Sequence, residues 1–195
     1  MKKQRLPKKQ TPPTLLGERV QLAPWQKRYM EQSLHIMKDK ALFDFTNMPY
    51  PYKRKHGLDF LKRMRKGTRE GTDAVFAIVL PKNKKNKTLI GVCGVNKIDK
   101  KNKCAEMGYW IKKEERGKGY ATEATNLIVD YMFKIRRLHR LEIRCSTLNP
   151  ASKKVIKKLG GVYEGTLRKE KHSPIRKAYH DIEVYSILQE EWRKR

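Results

Sequence analysis

For its size, this chain is short of negative charge. Its 195 residues hold 20 Asp and Glu against 47 Lys and Arg, a formal charge of +27. A field of that sign repels polycations and draws polyanions. RNA, acidic proteins and phosphate-bearing cofactors become favoured partners; an anionic membrane surface and simple solubility are the other readings. Cysteine is sparse as well. Cys93, Cys104 and Cys145 stand in apolar or strand-like runs without Cys-x-x-Cys spacing, which reads as reduced, partly buried thiols in a cytoplasmic protein. The five histidines are scattered, so no metal is expected. No apolar run approaches the length of a membrane span, and the Lys- and Pro-rich N-terminus lacks the apolar core of a secretory signal. Two familiar phosphate loops are also missing. Lys112 stands where a Walker loop needs its first glycine, and Thr122 where a dinucleotide fingerprint needs its third.

What is present is enough for one core. Hydrophobic residues make up 38% and aromatics 9%, which excludes a disordered chain. The length fits a single domain over residues 14–195, preceded by a flexible basic arm over 1–13. Leu16–Leu22 alternates as a first strand, and Trp25 to Lys40 has a helical period. Ala41–Pro51 reads as an aromatic loop, Tyr52–Lys66 as a second helix. Ala74–Leu80, Thr88–Ile98 and Lys103–Ile111 form a meander, with a basic turn from Pro81 to Lys87. Thr122–Phe133 is an amphipathic helix, and Leu141–Thr147 a strand parallel to the last of the meander through a right-handed crossover. A helix from Asn149-Pro150 to Leu159, stopped by Gly160-Gly161, leads to strands Val162–Leu167 and Tyr179–Leu188 joined by a basic loop.

The chain is organised around Arg116-Gly-Lys-Gly-Tyr-Ala-Thr122, between a strand and a helix. Glycines there let an anion approach backbone amides at the positive end of the helix dipole. The alternative is a tight turn with a basic rim. Asn149, with Pro150 after it, is an N-cap by type.

Arg116, Gly119 and Ala121 fill the fixed places of the pyrophosphate loop, Arg/Gln-x-x-Gly-x-Gly/Ala, and so the stretch resembles that of the GCN5-related N-acetyltransferases (GNAT). The likeness extends from Leu16 to Trp192, through Glu106–Ile111, Gly117–Ala124, Asn149–Ser152, Lys158–Gly160, Glu164–Arg168 and Asp181–Trp192. Within that superfamily it resembles the branch acting on ribosomal-protein N-termini (alanine or serine). The resemblance implies an α/β fold, with a mixed sheet of about seven strands, helices on both faces and a splayed parallel pair at the cofactor cleft. Gly161 departs from it, since the family has an aromatic residue after Leu-Gly.

The resemblance also implies acetyl-CoA as donor, an amine as acceptor and no metal. Tyr109, Trp110 and Ile111 would line the pantetheine arm; Arg116, Gly117, Lys118, Gly119, Tyr120, Ala121 and Thr122 would hold the pyrophosphate. Asn149 would touch the pantetheine and Ser152 would protonate the leaving thiolate. Lys157 and Lys158 would meet phosphates or stay solvated. Glu106, on the strand face opposite Met107 and Tyr109, is the candidate general base, against the alternative of a surface Glu paired with a lysine. Trp110 has core packing as its alternative. The acceptor expected is a protein N-terminus, ribosomal by resemblance, with contact to RNA or an acidic protein through the charge. A polyamine or aminoglycoside acetyltransferase and a non-catalytic ribosome- or RNA-binding module are the other readings. Monomer and homodimer stay open.

Overall fold

The computed structural model describes residues 12–81 and 87–193. The arm up to residue 11 and the body of the basic turn, residues 82–86, lie outside them. In chain order the elements are β1 (Leu15–Leu16), β2 (Gln21–Pro24), α1 (Lys27–Ile36), α2 (Ala41–Phe45), α3 (Arg54–Glu70), β3 (Ala74–Pro81), β4 (Lys87–Asp99), β5 (Cys104–Ile111), α4 (Tyr120–Asp130), β6 (Arg140–Ser146), α5 (Pro150–Lys158), β7 (Val162–Ser173), β8 (Ala178–Leu188) and α6 (Gln189–Arg193). A π-helical turn, Tyr131–Ile135, extends α4. The eight strands make one sheet, in the order β1-β2-β3-β4-β5-β6-β8-β7. Only β5 and β6 run parallel; the other neighbours are antiparallel.

Helices cover both faces, and the continuous apolar run of β3 follows from that. Phe76 and Ile78 pack with Ala124, Ile128 and Met132 of the α4 helix and its π turn. Their neighbours Ala77 and Val79 point the other way, against Tyr29 of α1. A strand covered on both faces gains nothing from polar alternation. Among the described residues no helix is long and apolar enough to cross a membrane. The thiols of Cys93, Cys104 and Cys145 are free.

Three local expectations change. Leu16–Leu22 is not one strand but a hairpin, β1 turning into β2 with Gly17 N–H donating to the Val20 carbonyl at 3.0 Å. A Cβ on Gly17 would lie 2.6 Å from Glu123 Oε1 and 3.0 Å from the Val20 carbonyl, so a side chain there would displace the carboxylate and crowd the turn. The aromatic loop contains α2, whose Leu42 and Phe43 are buried; tertiary packing holds a helix too short to stand alone. The basic loop after Leu167 is largely strand: β7 runs to Ser173 and β8 begins at Ala178. β7 is a sheet edge, and lysines on an edge strand hide it from a hydrophobic pattern while blocking further pairing.

The end of that hairpin docks on α2. Ser173 Oγ donates to the buried Asp44 carboxylate, Arg176 Nε lies 3.4 Å from it, and Arg176 N–H donates to Ser173 Oγ at 2.9 Å. Beside this latch Lys171 and His180 face each other across the strands. His180 is 6% exposed, and among the described residues neither ring nitrogen has a hydrogen-bond partner. Burial, then the Lys171 charge, hold its pKa below the usual histidine value. Lys171 is pushed down to about 8 by burial, with Asp44 pulling the other way.

Two stability predictions follow from these positions. Ile128 is fully buried and Ile135 66% exposed. Ile128→Ala should cost ~2–5 kcal/mol in urea unfolding and Ile135→Ala within about 0.5 kcal/mol. The ordinary pKa of a lysine such as Lys171 is 10.5. Between pH 8 and 10.5 the unfolded chain therefore binds more protons at this residue, so its contribution to native stability rises with pH. Lys171→Met should raise the melting temperature at pH 7, with an advantage that shrinks across that window. An advantage equal at both ends would mean that the lysine is not desolvated.

Candidate active site

The site begins where β5 loses a neighbour. β5 pairs with β6 from Cys104–Arg140 to Met107–Ile143. Past Met107 it continues only along β4, from Gly108 to Ile111, while β6 follows β8 to Ser146. Backbone parity decides which groups face the gap. Lys112 N–H donates to the Ile90 carbonyl of β4 at 2.8 Å, and Lys103 C=O accepts from His139 on the β6 side at 2.7 Å. Even-numbered residues of β5 therefore turn their amides to β4, and Tyr109 and Ile111 turn theirs into the gap. Trp110 does not join them. Its amide faces β4, and its ring packs against Met37, Leu42 and Phe43.

The chain then passes a 3₁₀ turn, Lys113–Glu115, into the glycine loop. Gly117 and Gly119 both have left-handed backbones, φ +78° and +83°, where a Cβ is penalised. Helix α4 starts at Tyr120, two residues before the expected Thr122. Its first bond is Glu123 N–H to the Gly119 carbonyl at 3.1 Å. The amides of Gly119, Tyr120, Ala121 and Thr122 thus have no acceptor within the helix, and among the described residues no side chain caps them. They share the positive end of the helix dipole.

The loop's cations hold the loop itself. Arg116 Nε donates to the Ile111 carbonyl at 3.0 Å and Arg116 Nη2 to Asp39 at 2.5 Å. Lys118 pairs with Glu115 at 2.9 Å, which also faces Lys112 at 3.7 Å. Two further residues, absent like Asp39 from the sequence-based site, complete the clamp. Arg19 reaches the Lys118 carbonyl at 3.0 Å and Glu123 at 3.0 Å, and lies over the Tyr120 ring. Glu123 Oε1 accepts from the backbone amides of Arg19 at 2.8 Å and Val20 at 3.1 Å. Burial works against that carboxylate, but these amides and the Arg19 guanidinium outweigh it and hold Glu123 below its usual range. Arg19, Asp39 and Glu123 carry no local signal, because their partners lie far along the chain.

Across the gap stands the start of α5. Asn149 Oδ1 accepts from Ser152 N–H at 3.1 Å, with Pro150 at the first helical position. Ser152 Oγ and Tyr109 Oη are 2.8 Å apart, so a hydroxyl pair joins α5 to β5 at the mouth of the splay. Burial drives the Tyr109 phenol well above its ordinary value, against the Ser152 hydrogen bond; it keeps its proton at neutral pH. Cys145 lies beneath, its thiol also raised by burial. Lys157 and Lys158 are exposed in the last turn of α5, at the opposite end from Asn149. Gly161 has a physical reason to be bare: a Cβ there would meet Ile156 Cγ2 at 2.5 Å.

The other face of β5 carries Glu106, Gly108 and Trp110. Among the described residues nothing lies within 4 Å of a Cβ built on Gly108, which leaves open floor beside the gap. Glu106 Oε2 is paired with Lys97 Nζ at 2.7 Å, the ion-pair alternative. Among the described residues no group of three His, Cys, Asp or Glu side chains is placed to hold a metal.

The arrangement has counterparts. Residues 19–162 match the family described as Acetyltransferase (GNAT) domain. The chain is 32% identical over 104 residues to the ribosomal-protein-serine acetyltransferase of Escherichia coli, covering 53% of this chain and 57% of that one. It is 32% identical over 109 residues to the spermidine N(1)-acetyltransferase of Vibrio cholerae, covering 56% and 62%. The matches thus span little more than half the length of these curated relatives. A solved structure of a ribosomal L7/L12 alpha-N-protein acetyltransferase with coenzyme A superposes with TM-score 0.83 at 18% identity, over 92% of this chain and 99% of that one. The fold, the splayed strands and the family match together place this chain among the GNAT acetyltransferases.

Proposed function

We propose that this protein transfers the acetyl group of acetyl-CoA directly to an amine, and that the amine is the N-terminus of a ribosomal or other protein in the cytoplasm. The observation that carries the reading is the gap itself, where backbone amides, a helix N-terminus and a protonated hydroxyl pair converge. Tyr109 and Ile111 offer sheet-edge amides to an extended pantetheine; standing two residues apart, ~7 Å along the strand, they serve different acceptors, the Tyr109 amide the thioester oxygen, where negative charge develops, and the Ile111 amide the arm nearer the loop. The bare glycine loop and the amides from Gly119 to Thr122 suit a pyrophosphate. Acetyl-CoA supplies the thioester. The acceptor enters over Gly108, its nitrogen forming the new C–N bond as the C–S bond breaks. Ser152, hydrogen-bonded to Tyr109, gives a proton to the departing thiolate. Glu106 takes the amine proton through water when Lys97 moves aside; otherwise water alone carries it. Holding both reactants in one cleft supplies much of the acceleration. Asn149 and Arg116 act by positioning Ser152 and the loop. Lys158 is the candidate partner for a distal phosphate.

The likeness to a spermidine acetyltransferase supports a second reading, a small polyamine as acceptor. The charge of +27 opposes it. A binding module on the same fold would show no turnover.

Gly119→Asp should weaken acetyl-CoA at least about tenfold, or ~1.4 kcal/mol, in calorimetry; unchanged affinity would remove the loop from the site. Ser152→Ala should lower kcat while leaving acetyl-CoA affinity within about threefold, the pattern of a group used in the transition state. Glu106→Gln shifts the pH–rate profile only if Glu106 is the base. For the acceptor, kcat/KM is measured on an Ala- or Ser-starting ribosomal protein and on spermidine over a range of salt. Efficient turnover of the protein, falling as salt rises, is expected. Efficient spermidine turnover with negligible activity on ribosomal proteins would establish the polyamine reading instead.

A further inference from the structure

At the pole of the sheet opposite the splayed strands lies a groove of ≈1040 Å³. It is bounded by the turn before β5, the end of α4 with its π turn, and α6. β5 and β6 begin at this rim, and the acetyl-transfer gap lies at their far ends. Tyr109 in the gap stands six residues along the strand from Lys103 at this rim, a span of about 20 Å, and none of the groove residues has a part in acetyl transfer.

Among the described residues that line it, five are Lys or Arg (Lys101, Lys103, Lys134, Arg137 and Arg193) and one, Asp130, is acidic. That carboxylate is already engaged. Lys134 Nζ lies 2.9 Å from it, and Trp192 Nε1 donates to it at 2.7 Å, fixing the half-buried indole as a wall. Lys103 and Arg137 occupy left-handed backbone positions, φ 51° and 55°. Glycine or asparagine would sit there with less strain, yet the chain places a cation at both. The charge continues beyond the groove. Lys100 Nζ donates to the Glu70 carbonyl at 2.7 Å, and a Cβ on Gly71 would meet Lys100 Nζ at 3.2 Å and Arg136 Nη2 at 3.8 Å.

An acidic protein would satisfy the charge alone. A flexible polyanion with flat bases satisfies both the ring of cations and the aromatic wall, since every base has a π-face to lay against an aromatic side chain. We propose that this groove binds single-stranded RNA through its phosphate backbone, and that it does so whichever amine the cleft acetylates. Such a site anchors the enzyme on an RNA-bearing particle while leaving the acetyl-transfer gap, at the other pole, free to meet its acceptor.

The test is fluorescence anisotropy of a labelled 15-nucleotide single-stranded RNA, titrated at several salt concentrations. Three proteins are compared: the native chain, the double variant Lys101→Glu/Arg137→Glu, and a control, Lys62→Glu/Arg65→Glu, which reverses equal charge on the exposed face of α3. The groove variant should weaken RNA at least about tenfold and reduce the salt slope by roughly 1.4, or ~0.7 for each lost phosphate contact. The control should stay within about threefold of the native protein. Thermal melts and acetyl-CoA calorimetry establish that the variants are folded, and Lys101→Gln/Arg137→Gln gives a milder variant with a smaller loss in the same direction. Equal weakening in groove and control variants would make binding a diffuse effect of net charge and overturn the proposal. So would native protein that ignores RNA at physiological salt. Polyglutamate of equal charge that binds as tightly and displaces the RNA would assign the groove to an acidic protein instead.

Discussion

β5 has two neighbours up to Met107 and one after it. Most of the site follows from that loss. Backbone polar groups in the body of a protein need partners, and the divergence withholds strand partners from Tyr109 and Ile111, of which the Ile111 carbonyl finds Arg116 instead. The same divergence makes room for two helix starts, α4 on the β5 side and α5 on the β6 side. It also lets the Tyr109 and Ser152 hydroxyls meet across the space. Had the strands stayed paired to their ends, amides, helix termini and hydroxyls would all lie within closed structure.

The loop beside the gap is held by charge and keeps its backbone amides uncapped. Arg116 is bound to Asp39 and the Ile111 carbonyl, Lys118 to Glu115, and Arg19 to Glu123. In a chain of +27 these are among the few acids available, and they are placed where a disordered loop would cost most. An anion arriving at Gly119–Thr122 therefore meets oriented N–H groups with little reorganisation to make. The remaining positive charge lies elsewhere, on α3, along β7 and around the groove at the opposite pole. The proposed pyrophosphate site and the proposed RNA groove thus lie at opposite poles of the sheet.

Residues that speak through their immediate neighbours were legible in the sequence. The apolar face of α4, the covered strand β3, the Asn149-Pro150 helix start and the left-handed glycines at 117 and 119 each express a local conformational preference or a short period. Together they determined the order of the elements from α3 to β8, the parallel crossover and the position of the loop. Only the tertiary structure decided what depends on partners distant along the chain. Arg19 and Glu123 are 104 positions apart, so nothing nearby marks either as a clamp. The α2 helix exists because a cluster around Phe43 covers it, and β7 exceeds its expected length because pairing with β8 overrides its polar composition. Trp110 is turned from the gap, and Glu106 tied to Lys97, by strand parity and by a cross-strand neighbour. A local pattern can say that a residue lies in a strand or a loop; which group it meets is settled by pairing and packing over long separations.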